Sequence, residues 1–306
     1  MKNLFILPFD HRASMLRELG VPPGCRLTAR EKQRVTRLKQ IIFRGFQLAL
    51  ARGAPRDSTA ILVDAEFGAG ILREAKRLRI KTAMPVEKSE TRVFELERNY
   101  AALIKKFEPD FVKALVLFNP APQFDKINAI QLSRLKSLND FLKKSRREFL
   151  LELIVPPTVK QSREAGGRKA FDARLRPKLV VQAMKTLQEH GVKPSVWKLE
   201  GVNTVAQAKA LVNQARAQPR AGGRNALIVF LGRGESLEKV RKWLAVGARV
   251  EGVAGFAVGR TVFAEPLREF VAGRSSERKA VERVAENFLS LLRFWNAKRR
   301  RLKRKK

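Results

Sequence analysis

One cysteine, two histidines and one tyrosine in 306 residues close off several common chemistries. A lone Cys25 excludes an internal disulfide and any cysteine-based zinc site. His11 and His190 are too few for a multi-histidine metal centre, and "DHR" at 10–12 offers only one histidine and one aspartate. Ser14 and Ser89 have no histidine in an arrangement that suggests a serine triad. No apolar run approaches the roughly 20 residues that a membrane span requires, so no membrane association is expected. There is no "GxxxxGK[ST]" and no "GxGxxG" opening a first βαβ unit, which removes support for kinase and dinucleotide chemistry. The opening "MKNLFILPFDHR" loses its apolar character at Asp10, His11 and Arg12 and shows no small-residue cleavage site. It reads as a first strand, and the protein as cytoplasmic.

Acidic residues are also scarce. Against 64 lysines and arginines stand 29 aspartates and glutamates, a net charge of +35 and a pI near 11.3. The nine residues from Lys298 carry eight of those charges, so most of the excess is spread along the rest of the chain. Such a field favours polyanions and steers phosphorylated metabolites toward a cleft. Adaptation of a whole proteome to an unusual host or compartment would produce it equally well.

What is present is a regular alternation. Strand-length apolar segments at 4–10, 59–65, 81–87, 110–119, 148–157, 195–201, 226–234 and 252–260 are separated by segments of helical period. These include "AREKQRVTRLKQIIFRGFQLALARG", "VFELERNYAALIKKF", "NAIQLSRLKSLNDFLKKS" and "SLEKVRKWLAVGA". Pro22-Pro23-Gly24, Gly166-Gly167 and Gly222-Gly223 punctuate the connections. Eight strands alternating with helices over this length predict an α/β fold, a (β/α)8 TIM barrel across residues 1–296. A doubly wound open sheet is the competing architecture. The segment "ERKAVERVAENFLSLLRFWNAK" is amphipathic and predicts an extra helix on the outside of the barrel. Residues 297–306 read as a basic, disordered tail.

Reactive groups of such barrels sit near the C-terminal ends of the strands. Asp10, Asp64, Glu87, Lys88, Lys113, Glu152, Lys198, Glu200, Arg233 and Arg260 all fall within or just after the predicted strands. In "SVWKLEG" side-chain alternation puts Val196, Lys198 and Glu200 on one face, with Trp197 and Leu199 on the other. The apolar pair suits the helix-facing side, so Lys198 points into the barrel. "EFLLELIVPP" repeats the pattern with Glu152, and "DFVKALVLF" with Lys113. A lysine in such a setting is the usual nucleophile for Schiff-base formation with a carbonyl substrate. The alternative is a set of internal salt bridges that only fill the barrel. Two lysines and a glutamate in consecutive strands, with Asp10 closing the first, are costly for a purely structural core to maintain.

"LGRGES" and "FAVGRTVF" end the seventh and eighth strands, where barrels often bind phosphate with backbone N–H groups and a helix N-terminus. Gly232, Gly234 and Gly259 would allow close approach, and Arg233 and Arg260 would pair with phosphate oxygens. Ser236 is placed to cap the next helix.

The strings "ILPFDHR", "ILVDAEFGAGIL", "VEKSE", "FVKALVLFNP", "LELIVPP", "RPKLVVQAMKTLQEHGVKPSVWKLEG", "FLGRGE" and "GFAVGRTVF" carry a resemblance. Over residues 3–290 the chain resembles the 2-deoxy-5-keto-gluconate 6-phosphate aldolase domain fused behind the sugar kinase of myo-inositol catabolism, 5-dehydro-2-deoxygluconokinase. The kinase portion has no counterpart in this sequence. More distantly, it is similar to the class I tagatose 1,6-bisphosphate aldolases, which need no metal. The resemblance implies Lys198 as the Schiff-base lysine, Glu152 as acid and base, Lys113 as an assisting lysine and Asp10 as the aspartate closing the first strand. It also implies Lys88 as a substrate-binding lysine and the glycine-arginine loops as the phosphate site. Leu117 and Phe118 stand where that domain has an arginine and a tyrosine.

The expected function is therefore a metal-independent, cofactor-free class I aldolase. Its substrate would be a ketose phosphate, foremost 2-deoxy-5-keto-gluconate 6-phosphate, cleaved to dihydroxyacetone phosphate and malonate semialdehyde. Another phosphorylated ketose, of tagatose or sulfosugar type, is the alternative within the same reaction class. A non-catalytic basic barrel that binds nucleic acid is the alternative from another class, although basic and aromatic residues are not interleaved as a stacking surface requires. Expected partners are the phosphorylated sugar, incidental polyanions at the basic tail and, compatibly, further copies of the chain.

Overall fold

The structure, a computed structural model, describes residues 3–11, 27–89, 91–218, 223 and 225–303. Arg12, Ser14, Pro22, Pro23, Gly24, Cys25 and Gly222 lie outside them, as do residues 304–306. In chain order the elements are β1 (Leu4–Pro8), α1 (Ala29–Ala51), β2 (Thr59–Leu62), α2 (Ala65–Arg77), β3 (Lys81–Pro85) and α3 (Tyr100–Phe107). They continue with β4 (Phe111–Leu117), α4 (Asp125–Lys144), β5 (Glu148–Ile154), α5 (Val159–Glu164) and α6 (Arg176–Glu189). The last are β6 (Val196–Glu200), α7 (Val205–Ala217), β7 (Leu227–Leu231), α8 (Leu237–Gly247), β8 (Val253–Ala257), α9 (Arg260–Val271) and α10 (Glu277–Lys303). A helical turn, Arg168–Ala170, and a π-helical turn, Phe171–Leu175, lead into α6.

Each strand pairs in parallel with the next, and β8 pairs with β1, closing an eight-stranded barrel. The open-sheet alternative is thereby removed. Alternation along the strands divides two apolar layers. Inside the barrel, Leu4, Ile6, Ala60, Leu62, Ala83, Leu150, Val196 and Val229 form one cluster at the N-terminal end. Outward residues of the opposite parity, such as Phe5, Ile61, Val112, Leu151, Trp197 and Phe230, join the inner faces of the helices in the larger cluster.

Several strands hand over to helices through built caps. Asp64 accepts from the Phe67 N–H at 2.8 Å and starts α2, Thr204 and Gln207 form a capping box on α7, and Ser236 caps α8 as expected. Asp64 also pairs with Lys39 of α1, both side chains buried between helix and strand layers. Its place among the mouth residues is corrected accordingly: it is a structural cap. The helix expected from residue 93 starts at Tyr100, because Glu87 and Leu96 form an antiparallel bridge that keeps the segment before it extended.

The helix α10 lies over the β8–β1 seam. Trp295 is fully buried against the rings of Phe5 and Phe256, with centroids 6.1 and 6.4 Å away. The segment from 297, expected to be disordered, is helical as far as Lys303. Arg299 explains this physically: its guanidinium donates to the carbonyls of Ala248 and Val250 at 3.0 and 2.9 Å, which anchors the last turns. No helix among the described residues is long and apolar enough to cross a membrane.

The seam leaves no room for a side chain at Gly255 of β8. A Cβ on Gly255 would stand 2.0 Å from the Leu4 carbonyl oxygen, whereas a Cβ on Gly70 in α2 would meet nothing within 4 Å. Gly255→Ala is expected to cost about 3 kcal/mol and Gly70→Ala to add about 0.5–1 kcal/mol, both measurable as shifts of the urea midpoint. A tolerated Gly255→Ala would show that the seam does not close as described.

Candidate active site

Inward positions carry Phe111 and Lys113 on β4, Leu150 and Glu152 on β5, and Val196 and Lys198 on β6. Register aligns Leu150 with Val196 and Glu152 with Lys198, whereas Lys113 aligns with Leu150 and reaches the polar group from one inward position lower. The polar group is nearly closed to solvent, with Lys113, Glu152 and Lys198 only 3%, 7% and 4% exposed. A buried charge requires a partner, and here every one has at least one. Lys198 Nζ donates to Glu152 Oε2 at 2.7 Å. Lys113 Nζ lies 2.5 Å from Glu87 Oε1, 3.1 Å from Asp10 Oδ2 and 3.2 Å from Glu152 Oε2.

Three carboxylates therefore converge on one ammonium, and their electrostatics follow from that. Burial opposes the charge on Lys113, but Glu87, Asp10 and Glu152 outweigh it and push its pKa well above the usual lysine value. Burial likewise works against the charges of Asp10 and Glu152. Lys113 and Lys198 prevail at both and hold them below the usual carboxylate range. At Glu87 burial wins, and its pKa is raised despite the pull of Lys113. His11, next to Asp10, is pushed down to about 4 by burial and is a neutral imidazole at physiological pH. Its Nδ1 is buried with no hydrogen-bond partner, and its ring stands edge-on to Phe263 with centroids 6.3 Å apart.

These groups form the floor of a cavity of about 230 Å³ at the C-terminal end of the barrel. Its walls include Pro85, Ser89, Thr91, Arg92 and Phe94 from the β3–α3 segment, with Leu115 and Leu117 of β4. Three larger clefts, of about 560, 480 and 430 Å³, contain none of the floor residues. Among the described residues, no three histidine, cysteine or carboxylate groups are arranged to hold a metal ion.

The expected residues are distributed unevenly. Asp10, Lys113, Glu152, Lys198 and Lys88 share the cavity. Lys88, however, turns its head to Glu95 at 2.7 Å, within the hairpin that the Glu87–Leu96 bridge closes. Leu117, in place of the arginine of the resembling domain, lines the cavity, and Phe118 is buried. The loops expected to bind phosphate, at the ends of β7 and β8, contribute no residue to the lining of this cavity. Gly259 has a structural reason of its own, since a Cβ there would come within 2.1 Å of the Pro8 carbonyl oxygen. Gly232 is less constrained, since a Cβ there would stand 3.1 Å from a Val258 methyl. Gly234 has φ +73°, and its missing Cβ leaves the place that the Arg260 guanidinium covers.

Arg260 forms no ion pair or hydrogen bond among the described residues. Arg233, expected to face an anion, instead points at carboxylates: its Nη1 is 2.7 Å from Glu200 Oε1 and 3.3 Å from Asp172 Oδ1. The neighbourhood supplies the reason, because Glu200 is a fully buried acid two residues beyond Lys198 and must draw a cation inward. Asp172, Arg176, Glu87, His11 and Arg92 were not singled out for roles in the sequence. Of these only Glu87, at the end of a predicted strand, left a readable signal.

A family model described as "Uncharacterized protein conserved in bacteria (DUF2090)" matches residues 1–299. No curated protein sequence matches the chain. Among solved structures, Cgl0159 from Corynebacterium glutamicum is similar at 15% identity and TM-score 0.54, over 94% of this chain and 86% of that one. An archaeal fructose 1,6-bisphosphate aldolase is similar at 12% identity and TM-score 0.54, over 94% and 93%. The YdjI aldolase from Escherichia coli K12 follows at 11% identity and TM-score 0.53, over 96% and 91%. At these identities the likeness establishes the barrel fold.

Removing the central cation tests the electrostatics directly. Lys113→Met leaves three buried carboxylates without their shared partner and is expected to cost about 3–5 kcal/mol at pH 8. Part of that loss returns at pH 5, because the stranded acids then have raised pKa values and protonate. Urea unfolding of variant and wild type at both pH values checks this, and an equal gap at the two would contradict it.

Proposed function

The chain belongs to the bacterial DUF2090 family, and from the geometry at its barrel mouth we propose that it is a class I aldolase that forms a Schiff base through Lys198. The observation that carries this is the difference between the two buried lysines. Lys113 is fixed as an ammonium among three carboxylates, while Lys198 has a single acidic partner, Glu152 at 2.7 Å, and an open cavity above it. Three acids hold Lys113 as an ammonium, whereas Lys198 needs to give a proton to Glu152 alone to present a lone pair to a carbonyl carbon.

The proton balance closes with Glu152 alone. It carries two protons in turn from the Lys198 nitrogen to the ketone oxygen, one as the amine adds to give the carbinolamine and one as that species collapses, so the oxygen leaves as water, the nitrogen keeps one proton and Glu152 ends as a carboxylate. The resulting iminium is the electron sink. Glu152, again a carboxylate, removes the proton from the β-hydroxyl, the adjoining carbon–carbon bond breaks, an aldehyde departs and an enamine remains. Protonation of the enamine carbon by Glu152 and addition of water release the second product and restore Lys198. Lys113 keeps a fixed positive charge 3.2 Å from Glu152, where it stabilises oxyanions as they develop.

The structural neighbours with aldolase names support the reading at the level of fold. The sequence resemblance supports a ketose phosphate, specifically 2-deoxy-5-keto-gluconate 6-phosphate cleaved to dihydroxyacetone phosphate and malonate semialdehyde. Arg260, with no ion pair among the described residues, is placed to meet the phosphate at the start of α9, and Lys88 and Arg92 line the opposite wall. The substrate is identified by assaying this compound beside tagatose 1,6-bisphosphate with a coupled dihydroxyacetone phosphate readout.

Borohydride reduction in the presence of dihydroxyacetone phosphate is expected to fix a covalent adduct on Lys198, located by peptide mass mapping. Lys198→Ala should give no adduct, and Glu152→Gln should lower cleavage roughly 10²–10⁴-fold. An adduct on another lysine, or none, would overturn the assignment.

A further inference from the structure

Beside the proposed active site, the end of β6 carries a second charged cluster that the reaction as written does not use. Glu200 follows Lys198 on the same face of the strand, its side chain has no exposed surface, and neither of its oxygens accepts a well-aligned hydrogen bond. The charged groups around it come from four places. Lys198 lies on its own strand; Arg176, at the start of α6, approaches Oε2 at 3.6 Å; Arg233, after β7, approaches Oε1 at 2.7 Å. The turns before α6 contribute Asp172, which contacts Arg168, Arg176 and Arg233 at 3.2–3.3 Å, and Arg168 itself.

The arginines are held unequally. Arg176 is buried and further fixed by donation to the Gly201 carbonyl at 3.0 Å, whereas Arg233 keeps 28% of its side chain exposed and, among the described residues, pairs with the two acids. Arg233 also sits at φ 54° in front of Gly234 at φ 73°, so its backbone is in the left-handed region that a non-glycine residue occupies at some cost. It stands at the β7 end, next to the loop over which Arg260 lies without an ion pair. A partly exposed cation is therefore tethered inward by buried acids, one loop away from the expected position of a substrate's anionic group.

We propose that Glu200 and Asp172 are positioning residues that hold Arg233 at the end of β6 in competition with an anion. Anion binding at the ends of β7 and β8 draws Arg233 off, and Glu200, left buried, takes up a proton from solvent. The inference rests on the anion-site part of the proposed function and adds to it a proton-linked latch. Desolvation is the main influence on Glu200 and raises its pKa to about 7 even with the arginines in place, so losing Arg233 favours the neutral acid further. Charge balances: one proton enters as one anion is bound, and Asp172 remains neutralised by Arg168 and Arg176.

Sulfate is a suitable probe because it carries no proton that titrates near neutrality. In calorimetric titrations of the full chain at pH 6–8, in two buffers of different ionisation enthalpy, wild type should take up protons on binding sulfate. Its affinity should fall as pH rises, approaching tenfold per unit above pH 7. Glu200→Gln should bind sulfate at least fivefold more tightly than wild type at pH 8, with a flat pH profile. It should also lose the decline in thermal stability between pH 4.5 and 7 that an acid with a raised folded-state pKa imposes. If Glu200→Gln does not fold, Asp172→Asn should show the tighter binding instead. Binding by wild type without proton uptake, or an unchanged profile in Glu200→Gln, overturns the latch while leaving the anion site intact. Sulfate binding unaffected by Arg260→Ala removes the anion site and the latch together.

Discussion

The ammonium of Lys113 is the point on which the top of this barrel depends. It draws together carboxylates that follow β1, follow β3 and lie within β5, and through Glu152 it reaches Lys198 on β6. Below it the barrel is filled by aliphatic side chains of modest size. Had the same layer continued upward, the mouth would be a dry plug with no chemistry. Burying several charges costs free energy unless each finds a partner, and five of the eight strands contribute to meeting that condition. The cavity above is consequently lined at its base by groups whose protonation states are set by one another rather than by solvent.

Much of this was legible from strand parity. Trp197 and Leu199 had to face the helices, so Lys198 had to face inward, and the same reasoning placed Lys113 and Glu152. What parity could not supply was the pairing. Glu87 lies beyond the end of β3, in a bridge with Leu96 that no periodicity announces. It nevertheless makes the shortest contact with Lys113. A sequence reading thus sees two inward lysines and one inward glutamate, whereas in the structure Lys113 is met by three carboxylates. Asp64 failed for the opposite reason. It too ends a strand with a carboxylate, but the next residue begins α2, and a helix cap claims the side chain before the barrel mouth can.

Arg233 shows a further limit. Its partner Asp172 lies 61 residues earlier, within a π-helical turn whose composition resembles any other polar connection. Residues that long-range ion pairs bring together leave no local pattern. The tail is a milder example: the lysines and arginines after 297 looked disordered by composition, yet these are adequate helix formers. Once Trp295 docks on the seam, extending the helix adds a hydrogen bond per residue fixed.

Taken together, the two clusters at the mouth have opposite formal charge. The floor places three carboxylates against two ammonium groups, and the β6–β7 rim places two carboxylates against three guanidinium groups, with Arg260, which has no ion pair among the described residues, at the start of α9. The clusters share a strand, so the change of sign occurs over the two residues from Lys198 to Glu200. A ligand with a neutral carbonyl and a distant anionic group meets a field that repels its anion from the floor and attracts it to the rim. Under the proposed reaction, that gradient presents the carbonyl carbon to Lys198 in one orientation before any specific contact forms. The general excess of positive charge over the chain would speed the arrival of such a ligand, but only this local reversal could select which end enters first.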